Sequence, residues 1–583
     1  MQKPIFGRNY HSSNGSILPK YYKQQQMNFK NFTRKLFSIE TVAVVSVLFV
    51  YGFILSYMNR GISCDEGFYL LGFLKNQELG PMVSDFHSII RAITPDAMQD
   101  NVMYFRYLRF GLGLTSVLLF GLTSYYWLKN RIKTFRISRL LYVSLILLGG
   151  AISYTYAAPT ISHDHLQHII YFFAFSAFIS ADLAKNKLIQ IASFLLTGIF
   201  LVFGIANYLP SGILLFAVFV ALIIILHFNK SAIHKILLLC AGVLFGFVLY
   251  HFLINPLDVV FGNINTAIET ASDTRHDSAS LFTAMLAAVT MFLLVQIPTV
   301  AAGYFARKIN IHTIIIATAT VVLVGSFFFF RDIFQMYAHL YYLPVSFVLG
   351  VWLAEKKSLT KDFNFRNYLV LLIFSFLPFM GIFGTNQAII AKAMLFIPFW
   401  MCLFLVIVDG LKISDKQNRI FIIFIIVLYA VSYLMLGNFS RYHSYYSPRS
   451  SRYEMVFGVR YKNVQVSRFE KEYFRTFAET LDSIGFRSGN TALAFGEQQI
   501  GLYLMGGYFH GGLVYSINQY VNIPAERARF IFLFRKEEER LKEHLKNSGW
   551  NFPEDYTRIE LGRMAENLVE GKHETVIYFI KTQ

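Results

Sequence analysis

Hydrophobic positions along this chain come in long blocks. Runs of about 18–20 apolar residues recur between residues 41 and 437, separated by short polar stretches. A run of that length crosses a bilayer as a helix, because only helical pairing satisfies its backbone groups without water. The pattern predicts thirteen membrane spans, at approximately 40–58, 108–128, 139–158, 166–182, 188–207, 210–227, 236–254, 282–305, 311–330, 335–354, 367–384, 387–408 and 420–437. The mostly polar segment 1–39 precedes the first run, which is too long for the core of a cleavable signal and is expected to stay as an anchor.

Two polar segments are too long to be connectors: residues 59–107, and everything from 438 to 583. In the second, the period of the pattern changes. "VSRFEKEYFRTFAETLDSIGF" (466–486) has helical spacing and "NTALAFGE" (490–497) reads as a buried strand. "ARFIFLFRK" (528–536) is a second strand, "EEERLKEHLKNSG" a helix, and "ETVIYFIKT" a closing strand. The expected fold is thus an α-helical polytopic membrane domain, 40–437, followed by a small α/β domain, 438–583. The glycine-rich "GEQQIGLYLMGG" does not fit a dinucleotide fingerprint.

Charge orients the spans. With the N-terminus on the cytoplasmic side, the inner segments carry about 25 Lys and Arg, including Lys129, Arg131, Lys185, Lys230, Arg307, Lys356 and Lys412. The opposite loops carry about six: Arg60, Lys75, Arg91, Arg106, Arg275 and Arg331. The bias holds loop after loop, as the positive-inside rule requires, and places 59–107 and 438–583 outside. Composition agrees, with 55% hydrophobic and 15% charged residues where soluble domains carry about a quarter charged. The net charge of +18 therefore reads as a topology signal rather than a nucleic-acid footprint. Cys64, Cys240 and Cys402 form neither a disulfide framework nor a metal-ligand spacing.

Ionisable residues near a membrane are costly and mark function. On the outer side they gather in four places. "GISCDEGFYLLGF" (61–73) holds Asp65 and Glu66, and "SHDHLQH" (162–168) holds His163, Asp164, His165 and His168. "MYFRYLRFG" (103–111) puts Arg106 and Arg109 three residues apart on one helical face. "FFFFRDIFQMYAHLYYLP" (327–344) holds Arg331, Asp332 and His339. Each has a plainer reading. The carboxylates could be solvated loop groups, the arginines could snorkel to headgroups, and Tyr341-Tyr342 could belong to the interfacial aromatic belt. His163, Asp164 and His165 could hold a divalent metal, although consecutive spacing suits chelation only in an extended chain.

The arrangement resembles the GT-C superfamily of membrane glycosyltransferases, closest to the protein O-mannosyltransferase and aminoarabinose-transferase branches. The similarity rests on Asp65-Glu66 soon after the first span, on "FRYLRFGLGLTSVLLFG" (105–121) entering the second, and on Asp164 in the second outer loop. "MYAHLYYLPVSFVLGVWLA" (336–354) and "FGTNQ" (383–387) resemble later family segments, whereas the histidines around Asp164 depart from those branches. The resemblance implies transfer of a sugar from a polyprenyl-phosphate donor to a lipid, glycan or protein hydroxyl, without an obligatory cofactor, in a bacterial inner membrane.

On that footing Asp65 is the expected general base, with Glu66 in support and Asp164 orienting the acceptor or holding a cation. Arg106, Arg109 and Arg331, with His339 as a weaker member, are the expected partners of the leaving phosphate. "GFYLLGFLKNQ" (67–77) is expected to lie in the interface with its apolar face down. Two other classes fit a polytopic chain: a transporter or flippase of lipid-linked glycans, and a polymerase or ligase acting on them. No internal repeat favours the former, and large arginine-rich outer loops are missing for the latter.

Overall fold

The computed structural model describes residues 38–61, 65–155, 159–228, 230–272, 278–305, 333–354, 365–384, 389–411, parts of 422–430, 453–455, 460, 464–520, 522–546, 548–563 and 574–580. Its helices run α1 Ile39–Tyr57, α2 Glu66–Phe73, α3 Phe86–Ile93, α4 Val102–Arg131, α5 Arg139–Ala151, α6 His163–Leu183, α7 Lys187–Asn207, α8 Leu209–Leu226, α9 Lys230–Leu253 and α10 Leu257–Ser272. They continue with α11 Ser278–Phe305, α12 Ile333–Ala354, α13 Phe365–Met380, α14 Ile389–Ala393 and α15 Ile397–Gly410. Among the described residues, eight helical segments are long and apolar enough to cross a membrane, and three shorter apolar helices accompany them. The chain is a helical membrane protein. Eleven of the thirteen expected spans coincide with described helices, while 311–330 and most of 420–437 lie outside the described residues.

The helix starts follow from local chemistry. Ser38, Asn101, Ser138, Ser162 and Asn186 each accept a backbone N–H of the helix they precede, satisfying one of its orphan donors. Between spans there is no water to expel, so packing depends on close backbone approach. At Gly198 of α7 a Cβ would lie 2.3 Å from the Gly242 carbonyl carbon of α9, so only glycine lets these helices meet. The membrane core is aromatic, with Phe120, Phe172, Phe175, Phe374 and Phe399 in edge-to-face and tilted contact. Tyr341 and Tyr342 are buried in this core rather than placed in an interfacial belt.

At one end of the bundle, Trp127 Nε1, Arg131 Nη2 and His227 Nε2 converge on the Asp182 carboxylate at 2.6–2.7 Å. The opposite end carries the segment 59–107 and the C-terminal domain. That domain contains β1 Tyr453–Met455, β2 Gln465–Ser467, α16 Arg468–Ser483, β3 Thr491–Ala494, α17 Gln499–Leu504 and β4 Tyr508–Phe509. It ends with β5 Phe530–Phe534, α18 Glu538–Leu545, β6 Thr557–Arg563 and β7 Glu574–Phe579. The five-stranded sheet runs β4-β3-β5-β7-β6, parallel across β4-β3-β5 and antiparallel thereafter. β3, β5, β7 and both helices match the sequence pattern, to within a few residues at their ends.

The domain is not a detached appendage. Gln465 N donates to Asn59 O at 2.7 Å, and Gly61 N donates back to Gln465 O at 2.8 Å. Leu513 N donates to Glu78 O (2.8 Å), and Gly80 N to Leu513 O (3.0 Å). The buried Gln77 amide reads Phe509 on both sides, accepting from its N–H at 2.6 Å and donating to its carbonyl at 3.2 Å. One apolar core runs through both parts, from Leu70, Phe73, Phe86 and Phe105 to Phe477, Ile500, Phe509 and Phe532. Consequently α2 does not lie with its apolar face on lipid. It is pressed against α17 so closely that a Cβ at Gly67 would meet the Ile500 backbone nitrogen at 2.2 Å.

Candidate active site

The adjacent carboxylates Asp65 and Glu66 of "GISCDEGFYLLGF" part company in the structure. Glu66 is fully buried and forms a bidentate pair with Arg106, Nε to Oε1 at 3.0 Å and Nη2 to Oε2 at 2.8 Å. Arg106 also donates to the carbonyls of Met58 (2.8 Å), Arg60 (3.3 Å) and Gly61 (2.7 Å). Its guanidinium thus ties the end of α1 to the start of α2. Arg109, one turn further along α4, donates to Pro159 O at 3.1 Å and Ser153 O at 2.9 Å, and lies over the Tyr154 ring. The shared face expected for these arginines is real, but both are committed to protein groups and neither is displayed to a ligand.

Asp65, which precedes α2, is half-buried and turned the other way. The hydroxyl of Tyr515, from the C-terminal domain, donates to its Oδ1 at 2.8 Å. Across from it the start of α6 presents His163 and Asp164. Lys392 of α14 binds Asp164 through Nζ, at 3.1 Å to Oδ2 and 3.3 Å to Oδ1, and His163 Nε2 lies 3.5 Å from Oδ1. His163 lies within electrostatic reach of Asp65 as well as of Asp164 and Lys392, so the two acidic groups share one neighbourhood. Asn207 Nδ2 donates to the His163 carbonyl at 3.0 Å and fixes this turn. Tyr69, with its hydroxyl 3.5 Å from His163 Nδ1, and Tyr208 flank the imidazole, and Phe68 packs edge-on against Tyr515.

This arrangement brings together Asp65, His163 and Asp164 but not the other expected members. His165 turns into the protein, its Nδ1 2.8 Å from the Ser162 hydroxyl that caps α6. Consecutive helical positions diverge by about 100°, so His163, Asp164 and His165 cannot converge on one ion. Among the described residues no group of three His, Cys, Asp or Glu side chains is placed to hold a metal. His339 is buried and stacks on Phe292, which also meets Tyr342, Phe379 and Trp400 edge-on. Arg331 and Asp332 lie outside the described residues, as do Cys64 and Thr385–Gln387.

Lys392 was not among the residues singled out from sequence. Its signal is a lone lysine in the otherwise apolar "AIIAKAML" near the start of a span, where a cation needs a partner. That partner, Asp164, is 228 positions away.

The floor beneath Tyr69 is set by α3. Asp85 accepts from Tyr250 Oη (2.6 Å), Ser88 Oγ (2.6 Å) and Asn255 Nδ2 (3.1 Å), and burial nonetheless raises its pKa above the usual carboxylate range. Arg91 donates to Gly72 O and Gln77 O, both at 2.6 Å. His87 sits between them among Phe68, Tyr69, Phe73 and Phe86. Burial first, then the positive charge of Arg91 and of His163, holds its imidazole well below the ordinary value of 6.5. The unfolded chain therefore binds a proton near pH 6.5 that the folded chain refuses. Stability contributed by neutral His87 is complete above that pH and is lost as pH falls toward the folded pKa, by up to about 1.4 kcal/mol per pH unit. The apparent unfolding temperature in detergent should drop between pH 7.5 and 5.5, and His87→Gln should flatten the slope. An identical slope in the variant would remove His87 as the cause.

Compared with known proteins, the chain matches no family model and no curated sequence.

Proposed function

We propose that the protein is a membrane glycosyltransferase of the GT-C type, moving a sugar from a polyprenyl-phosphate donor to an acceptor hydroxyl at the outer membrane face. The observation that carries this reading is the gathering of a half-buried carboxylate, Asp65, and a half-buried cation, Lys392, the latter paired with Asp164, around His163 in an aromatic-walled neighbourhood at one end of a bundle of apolar helices. A long isoprenoid stays dissolved among such helices while its headgroup reaches that end. Aromatic faces such as Tyr69 and Tyr208 suit the apolar face of a sugar.

In the proposed reaction the acceptor oxygen forms its bond to the anomeric carbon as the carbon–phosphate oxygen bond breaks. The phosphate leaves with the electron pair, Asp65 takes the hydroxyl proton, and the configuration inverts in one step. No protonation of the leaving group is needed, but its charge must be met. Lys392 is assigned that task in place of Arg106 and Arg109, whose donors serve Glu66 and backbone carbonyls. An ammonium is a compact, mobile point charge, able to exchange Asp164 for phosphate.

The test is turnover of radiolabelled polyprenyl-phosphate sugars by purified protein in nanodiscs, with membrane extract as acceptor. Lys392→Gln removes a hydrogen bond to a charged group and should lower kcat/KM for the donor by about 10–100-fold. A variant with wild-type donor kinetics would take the phosphate role from Lys392. Flipping of the same lipids without transfer of any sugar would replace the enzyme by a transporter.

A further inference from the structure

We propose that Tyr515 is a positioning residue for Asp65, so that the C-terminal domain completes the site instead of decorating it. This rests on the reading of Asp65 as the base. The phenolic hydroxyl donates to Asp65 Oδ1 at 2.8 Å across 450 positions of sequence. The contact is not an incidental one between two loose side chains, because the backbone around Tyr515 is held from both sides. Gly496 N donates to Tyr515 O at 2.8 Å, and Gln499 Nε2 donates to Val514 O at 2.6 Å. Leu513 is held in both directions by the 59–107 segment, through Glu78 O and Gly80 N. Gly511 makes the preceding turn with φ of 79°, a conformation in which other residues are strained.

The ring is fixed too, meeting Phe68 of α2 edge-on at 5.4 Å and 82°. Asp65 immediately precedes α2, whose opposite neighbour Glu66 is locked by Arg106. Both ends of the Asp65–Tyr515 hydrogen bond are therefore attached to elements held by further contacts. A base that must meet an acceptor hydroxyl within hydrogen-bond reach gains from a carboxylate restricted in its rotation about χ2, and a single donor to one oxygen supplies that restriction. Tyr515 remains exposed enough to face the acceptor side.

The experiment compares wild type, Tyr515→Phe, Asp65→Asn and the double variant in nanodiscs, with kcat and KM measured separately. Phenylalanine keeps the ring contact with Phe68 and removes only the hydroxyl. Tyr515→Phe is expected to lower kcat about tenfold with KM for donor and acceptor unchanged and the unfolding temperature unmoved. In the Asp65→Asn background the same change should cost less than about twofold, because the group it acts through is gone. A Tyr515→Phe enzyme with wild-type kcat beside a collapsed Asp65→Asn would overturn the role of Tyr515 and leave the base in place. Full additivity in the double variant would overturn it as well. Wild-type turnover by Asp65→Asn would instead overturn the base, and this inference with it.

Discussion

Asp65→Asn is expected to slow sugar transfer by about 10²–10⁴-fold while leaving the fold intact, the range a positioned general base contributes. The amide has the shape of the carboxylate and can still accept from Tyr515, so the hydrogen bond at Oδ1 has a counterpart in the variant. What is lost is the capacity to take a proton. Of the neighbouring carboxylates, Glu66 is sealed against Arg106 and Asp164 is ion-paired with Lys392. Initial rates with the best donor, set beside unfolding temperatures of both proteins, decide the matter. A residual rate within about fivefold of wild type is too fast for a missing base and would move the proton acceptor elsewhere.

The second large effect is on stability. Breaking the Glu66–Arg106 pair by Arg106→Ala should cost about 3–5 kcal/mol, because a buried carboxylate is left without its counter-charge. The carbonyls of Met58, Arg60 and Gly61 lose a donor at the same time. Arg106→Lys should fail nearly as badly, since an ammonium cannot reproduce a planar fork that serves a carboxylate on one edge and carbonyls on the other. Glu66→Leu with Arg106→Met removes both charges and should recover part of the loss, the orphaned carbonyls accounting for the remainder. Yield and thermal unfolding in detergent report all three. If Arg106→Lys instead folds like wild type and loses only donor affinity, Arg106 is a phosphate ligand after all.

These two expectations divide what the sequence discloses from what it does not. Length and apolarity alone locate most helices, because the bilayer allows backbone groups no other partner. β5, "FIFLF", is as plain, being buried on both faces. β6 is not announced, for "TRIELGR" lies at a sheet edge, exposes Thr557, Arg558 and Glu560 and has no continuous apolar run. Asp65 and Asp164 stand out as carboxylates at span ends. The fates of Arg106, Arg109 and Lys392 do not, because pairing over 40 to 228 positions is decided by which helices lie side by side. Arginines three residues apart look the same in sequence whether they face phosphate or protein. Tyr515 carries no local signal at all: its neighbour in space, Asp65, is named only by the docking of a whole domain.

That docking also imposes a schedule. Residues 65 and 515 are 450 positions apart, and at roughly 5–20 residues per second a ribosome needs about 20–90 s to go from one to the other. Through that interval the membrane helices can insert and assemble while Asp65 waits without its hydroxyl partner and the 59–107 segment without β2 and α17 beside it. A nascent chain halted before the domain that carries Tyr515 would hold a bundle but an unfinished centre. Competence is thereby conferred late, and only on molecules whose synthesis has run past the domain that closes the centre.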